Sequence, residues 1–226
     1  MPSRPRVVSA LVASAVLVGS ARRARTREVS DAEERAFQIF NDAPNSIHPP
    51  VWAVMQAGSL AAVGVVAGGL AHRGRPRVAM AAAISGTLVW VGVKAIKPII
   101  GRGRPDRHLD RVTVRGQPQT GLGYPSGHAA VSLTLAMISS RGRSPTVRTA
   151  ALTVAAITGG ARLYVGAHLP LDVVAGYAIG ALCGLATNVV MERSVEAGTL
   201  ADSNPGTVVS NGLPTCRVNR PEFHER

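Results

Sequence analysis

The chain is poor in charge, aromatics and cysteine. Of its 226 residues only 17% are Asp, Glu, Lys or Arg and 4% are aromatic, against 46% hydrophobic. So little charge fits a water-facing globule badly. So few aromatics leave no platform for stacking bases. There are two cysteines, Cys183 in an apolar run and Cys216 in a polar one. Neither has metal-ligand spacing, so no disulfide framework and no zinc site is expected. Acid is scarcer still: 13 Asp and Glu face 25 Lys and Arg, a formal charge of +12 and a pI near 11.4. Such a balance usually raises nucleic acid as a partner. Here the arginines sit in short clusters between apolar runs, as membrane topology signals do, and no nucleic-acid partner is expected.

What is present is a series of long apolar segments. Residues 1–28 hold Arg4 and Arg6, an apolar run from Val7 to Val18, and the basic Arg22–Arg27. We read this as an uncleaved N-terminal anchor; its basic start and short apolar centre are shared with signal-like segments. Ser30-Asp-Ala-Glu33 is a capping box opening an amphipathic helix. That helix either lies at a membrane surface or packs on the rest of the domain. Val51–Ala71 is uncharged and long enough to span, with Gly64 and Gly68 at small-xxx-small spacing. Val78–Ile96 is the next span. After a Gly- and Pro-rich loop come the apolar runs His128–Ser140, Thr149–Gly160 and Leu169–Met191. The last carries Gly176, Gly180 and Gly184 on one face, a seam for a neighbouring helix. The expected fold is all-α, a polytopic membrane bundle of five or six transmembrane helices, with the membrane domain over residues 29–191 and a polar tail, 192–226, expected to be disordered.

Three polar stretches stand at the mouths of these segments. They are Lys97 to Arg104-Pro105, Pro125-Ser126-Gly127-His128, and Arg162 to His168 and Asp172. A charged side chain within the bilayer costs several kcal/mol, roughly 2.5–3.5 on insertion scales, unless it is paired or hydrated. A lone arginine at a helix end is ordinarily an interfacial anchor. Three cations beside two histidines in Gly-rich loops suggest more, because arginine forks and free backbone N–H groups suit phosphate oxygens. Ser126 is placed to cap the helix that His128 opens, and a helix N-terminus attracts anions. Asp172, one turn after His168, can reach back to one ring nitrogen and leave the other free as a nucleophile, or can simply offset the helix dipole.

The stretches resemble the signature of the type 2 phosphatidic acid phosphatase superfamily, which also holds soluble acid phosphatases and vanadium-dependent haloperoxidases. That pattern is Lys, six residues, Arg-Pro; then Pro-Ser-Gly-His; then Ser-Arg, five residues, His, three residues, Asp. The chain departs once, with Ala161 where the family usually has serine. The resemblance implies that His168 attacks phosphorus, oriented by Asp172, and that His128 protonates the leaving oxygen. Lys97, Arg104, Ser126, Gly127 and Arg162 would bind the non-bridging oxygens. It implies no metal and no other cofactor, since the cations are built in. The expected protein is an integral plasma-membrane hydrolase. Its partners are the lipid bilayer and a phosphorylated lipid: phosphatidic acid, phosphatidylglycerol phosphate, polyprenyl diphosphate or a polyprenyl-linked sugar phosphate. The short basic connectors at Arg73–Arg77 and Arg141–Arg148 put the site outside the cytoplasm. The alternatives are a non-catalytic lipid-phosphate binder or transporter, and a haloperoxidase. Oligomeric state is not legible.

Overall fold

The structure, a computed structural model, describes residues 4–202. Among the described residues every regular element is helical: α1 (Arg4–Arg25), α2 (Asp31–Asn41), α3 (His48–Met55), α4 (Leu60–His72), α5 (Pro76–Ile100), α6 (Gly127–Ser139), α7 (Pro145–Tyr164) and α8 (Pro170–Asp202). The helix starts follow local chemistry. The Ser30, Ser59 and Ser144 hydroxyls accept from the N–H groups of Glu33, Ala62 and Val147. Prolines 76, 145 and 170 stand in first turns, where the missing N–H costs nothing. α5 ends because Gly101 adopts the left-handed conformation, φ 70°, and returns its N–H to Lys97.

Three described helices, α1, α5 and α8, are long and apolar enough to cross a membrane. The α3–α4 pair adds a fourth if it counts as one span, bent by 71°. α6 is apolar but short. It is the core rather than a lipid-facing span: Ala130, Val131, Leu135 and Ile138 are buried against Val63, Ala82, Val89 and Val93 of α4 and α5. The outer surface is apolar, with Val65, Leu88 and Ile99 exposed, as a bundle solvated by lipid requires. The chain is thus an all-helical integral membrane bundle.

Sequence and structure differ in three places. Val51–Ala71 is not one straight helix. It breaks at a 3₁₀ turn, Gln56–Gly58, because Gly58 lies against the backbone of His128, where any Cβ would collide with the His128 Cα and carbonyl. Gly64 and Gly68 have nothing within 4 Å of a Cβ position among the described residues, so they form no seam with them. And α8 runs past Met191 and through Gly198 to Asp202, with no proline in 192–202 to break it. The rest of the expected tail, and Cys216, lie outside the described residues.

The glycine seam of α8 meets α6. A Cβ on Gly176 would strike the Ser126 carbonyl and come within 2.9 Å of the Ala129 Cβ; Gly180 and Gly184 lie as closely on Ala130 and Met137. α1 joins the same compact unit, which runs through Glu192. Leu17, Ala21 and Ala24 pack with Ile100, Tyr124 and Ala175, and the Ser20 hydroxyl lies 3.0 Å from that of Tyr124. At the other end of α1, Arg6 forms a two-pronged ion pair with Glu192. α2 packs on α7 through the fully buried Phe37 and through Asn41, whose amide donates to the carbonyls of Thr113, Leu163 and Tyr164.

Candidate active site

The α5–α6 loop and the α7–α8 turn close over one end of the bundle, and the three polar stretches meet there. The contacts are specific. The Ser126 N–H donates to the Asp172 carbonyl at 2.8 Å, joining the second stretch to the third. Arg104, four residues beyond the end of α5, donates from Nη1 to the Ala167 carbonyl at 2.7 Å and from Nε to that of Thr120 at 3.2 Å, joining the first to the third. Lys97, in the last turn of α5, sends its ammonium to the carbonyls of Leu122, Gly123 and Pro125 at 2.8–3.1 Å. All three of its protons therefore brace the loop that carries Ser126. Lys97 acts on a nearby anion as a charge unless one of those bonds exchanges.

His168 sits in the turn between α7 and α8, its side chain almost wholly buried, and its Nδ1 lies 3.4 Å from Asp172 Oδ2. The same oxygen accepts the Leu169 N–H at 2.9 Å, which fixes the carboxylate in the first turn of α8. Burial, and after it the charges of Arg162, Lys97 and Arg104, hold the His168 imidazole well below its ordinary range. The ring is therefore neutral at physiological pH. With Nδ1 turned to the carboxylate, Nε2 keeps its lone pair.

Arg162, in the last turn of α7, is buried, with Nη1 3.3 Å from the sulfur of Met55 at the end of α3. Its Nε has no hydrogen-bond partner among the described residues, and neither does the fully buried hydroxyl of Ser126. Ser126 is positioned as the N-cap of α6 but makes no side-chain cap bond. Buried donors left unmatched cost about 1–3 kcal/mol each. Two of them in a nest of cations suit an oxyanion. A cavity of about 500 Å³ opens beside them, walled by Trp52, Met55, Arg104, His128 and Arg162; Lys97, Ser126, His168 and Asp172 are not part of that wall.

All eight residues singled out in the sequence thus gather at one end of the bundle. Sequence reasoning passed over two more. Arg102, with no exposed surface, forks onto Glu33 of α2 at 2.9 and 2.7 Å and reaches Asp172 Oδ1 at 3.4 Å. Arg102 lies inside the first stretch, between Lys97 and Arg104. Glu33 was legible only as a capping-box residue: its N–H does take the Ser30 hydroxyl, but its carboxylate turns inward. Among the described residues no group of three or more His, Cys, Asp or Glu is placed to hold a metal ion.

Comparison with known proteins bears on the family and the fold. The family model of the PAP2 superfamily matches residues 76–196, which hold all three stretches. The lipid A 1-phosphatase of Rhizobium johnstonii is 36% identical over 117 residues, 47% of this chain and 46% of that protein. The lipid A 4'-phosphatase of Porphyromonas gingivalis is 32% identical over 93 residues, 39% of each chain. The matches span about half the length, or less, of these relatives. Among solved structures, LpxE of Aquifex aeolicus aligns with a TM-score of 0.66 at 24% identity, covering 72% of this chain and 98% of that one. The first transmembrane PAP2 type phosphatidylglycerolphosphate phosphatase from Bacillus subtilis gives 0.64 at 17% identity, covering 82% and 96%. At those identities the two structures speak to the fold, and the fold agrees.

Proposed function

The chain belongs to the PAP2 superfamily, and we propose that it hydrolyses a phosphate ester carried by a membrane lipid, with His168 as nucleophile. The observation that carries this reading is the buried His168–Asp172 pair, set among three cations beside two unpartnered donors. His168 Nε2 forms the bond to phosphorus as the ester P–O bond breaks. Burial and the charges of Arg162, Arg104 and Lys97 hold the His128 imidazole down to about 3, so it takes up its proton as the phosphate anion arrives to offset those cations, and then gives that proton to the departing lipid oxygen. His128 then takes a proton from water, whose oxygen displaces His168 and releases inorganic phosphate. Arg104, Arg162, the Ser126 hydroxyl and the Gly127 N–H hold the non-bridging oxygens, with Lys97 contributing charge. Positioned acid–base help of this kind is worth about 10²–10⁴ in rate. Stabilising charge on those oxygens contributes at least as much.

The apolar outer surface supports a site at the headgroup plane, and that favours a lipid over a soluble substrate. The names of the relatives make a phosphorylated glycolipid of the lipid A kind the first to test. Phosphatidic acid, phosphatidylglycerol phosphate and polyprenyl diphosphate follow. The site faces away from the cytoplasm, across the plasma membrane from the basic connectors. The test is phosphate release from this panel by purified protein in detergent with chelator present. Release that vanadate inhibits and that His168→Ala abolishes is expected. Lipid binding without release, or bromide oxidation by the vanadate-loaded protein in place of hydrolysis, would overturn the reading.

A further inference from the structure

Asp172 has two oxygens and each has a fixed task. Oδ2 accepts from the Leu169 N–H and faces His168, while Oδ1 lies toward the Arg102 guanidinium. Arg102 cannot swing away, because both arms of its fork are held by the Glu33 carboxylate. Glu33 is anchored in turn: its Oε1 also accepts the Leu171 N–H at 3.0 Å, in the same turn of α8 that carries Asp172. Phe37, one turn further along α2, is fully buried and fixes that helix. Two carboxylates and one guanidinium leave a single negative charge within this cluster. Its Asp172 carboxylate lies close enough to Lys97 and Arg104 to act on both charges.

We infer that Glu33 and Arg102 are positioning residues that hold Asp172 in the one orientation that aims His168, so that α2, outside the residues matched by the family model, completes the site. The inference rests on the phosphatase reading above. Were the pair only a structural plug, it would need neither the contact to Asp172 nor the bond to Leu171. With Glu33 neutral, the Arg102 fork is released toward Asp172 and draws the carboxylate off His168. The imidazole then loses its alignment, while the groups that bind phosphate oxygens stay in place. The effect therefore belongs in kcat and not in KM.

The test is steady-state kinetics on the full chain in detergent, with whichever lipid phosphate the wild type turns over. Wild-type turnover itself tests the phosphatase reading; the variants test the chain of charges. Glu33→Gln is expected to lower kcat about tenfold or more while KM stays within about threefold, the mark of an interaction made in the transition state. In an Asp172→Asn background the same substitution should change the residual kcat by less than about twofold, because residues that act through one another are not additive. Glu33→Leu with Arg102→Met removes both charges at once, which buried pairs tolerate in folding. This double variant is expected to melt near the wild type and still to show the low kcat. Three results overturn the inference: wild-type kcat in the folded double variant, a loss in KM equal to that in kcat, or an undiminished Glu33→Gln effect in the Asp172→Asn background. If the double variant does not fold, the Glu33→Gln cycle with Asp172→Asn decides alone.

Discussion

Ala161 shows how a single side chain separates structure from chemistry. It is buried in an apolar cluster with Met55, Tyr164 and Val165, one residue from Arg162 but facing α3. A serine hydroxyl there can return to the carbonyl four residues back on α7. Ala161→Ser should therefore change kcat/KM by no more than about tenfold, the worth of one neutral hydrogen bond. Kinetics on the two proteins check this, and a rise of several orders of magnitude would mark the natural site as degenerate. At this scale the placement of side chains was readable wherever they stand a short spacing apart. His168 and Asp172 share one turn, and Ser126 to His128 are consecutive. Glu33 was not readable, because its partner Arg102 lies 69 residues away and a capping box already explained it. The bracing role of Lys97 was hidden for a similar reason: carbonyl acceptors leave no mark in a sequence.

The start of α2 was legible because its serine cap acts locally, whereas α5 and α7 begin at Pro76 and Pro145, ahead of the apolar runs that mark them in the sequence. The break between α3 and α4 was not legible. Gln56-Ala-Gly-Ser59 is only mildly polar, and the reason for the break is a contact with the His128 backbone. The span count was blurred by α6, whose apolar composition serves a protein core as well as it would serve lipid. The glycines separate the two environments and can be tested in pairs. Gly176→Ala would push α8 off the Ser126 carbonyl and Ala129, which carry the start of α6. Overpacking of that kind costs about 1–3 kcal/mol. It is expected to lower both the melting temperature in detergent and kcat, whereas Gly64→Ala and Gly68→Ala, with open space around them, should change neither. A stable, fully active Gly176→Ala would contradict the packing described.

Across the whole molecule, the structure sets the two ends apart. Arg75 donates to the carbonyls of Ser139 and Arg141, so the connectors before α5 and after α6 share one end, opposite the site. α1 crosses between them, from Arg6 beside Glu192 to Ser20 beside Tyr124. Arg22–Arg27 thus lies at the site end, against the usual cytoplasmic placing of basic residues. The two connectors, with Arg4 and Arg6, outweigh it in our reading. Single cysteines at Arg143 and at Gln119, both exposed, in a background lacking Cys183 and Cys216, report the orientation. In intact cells an impermeant thiol reagent should label Gln119→Cys and spare Arg143→Cys; the reverse pattern would turn the site inward.

The central claim is that His168 carries the phosphoryl group between lipid and water. Its most direct test is a rapid quench of purified protein with a lipid substrate labelled in the scissile phosphate, in the presence of chelator. Wild type should yield a labelled protein that survives base and loses its label in acid, and His168→Ala should yield none. Label retained by His168→Ala, or a wild type that turns over without ever becoming labelled, would contradict the account.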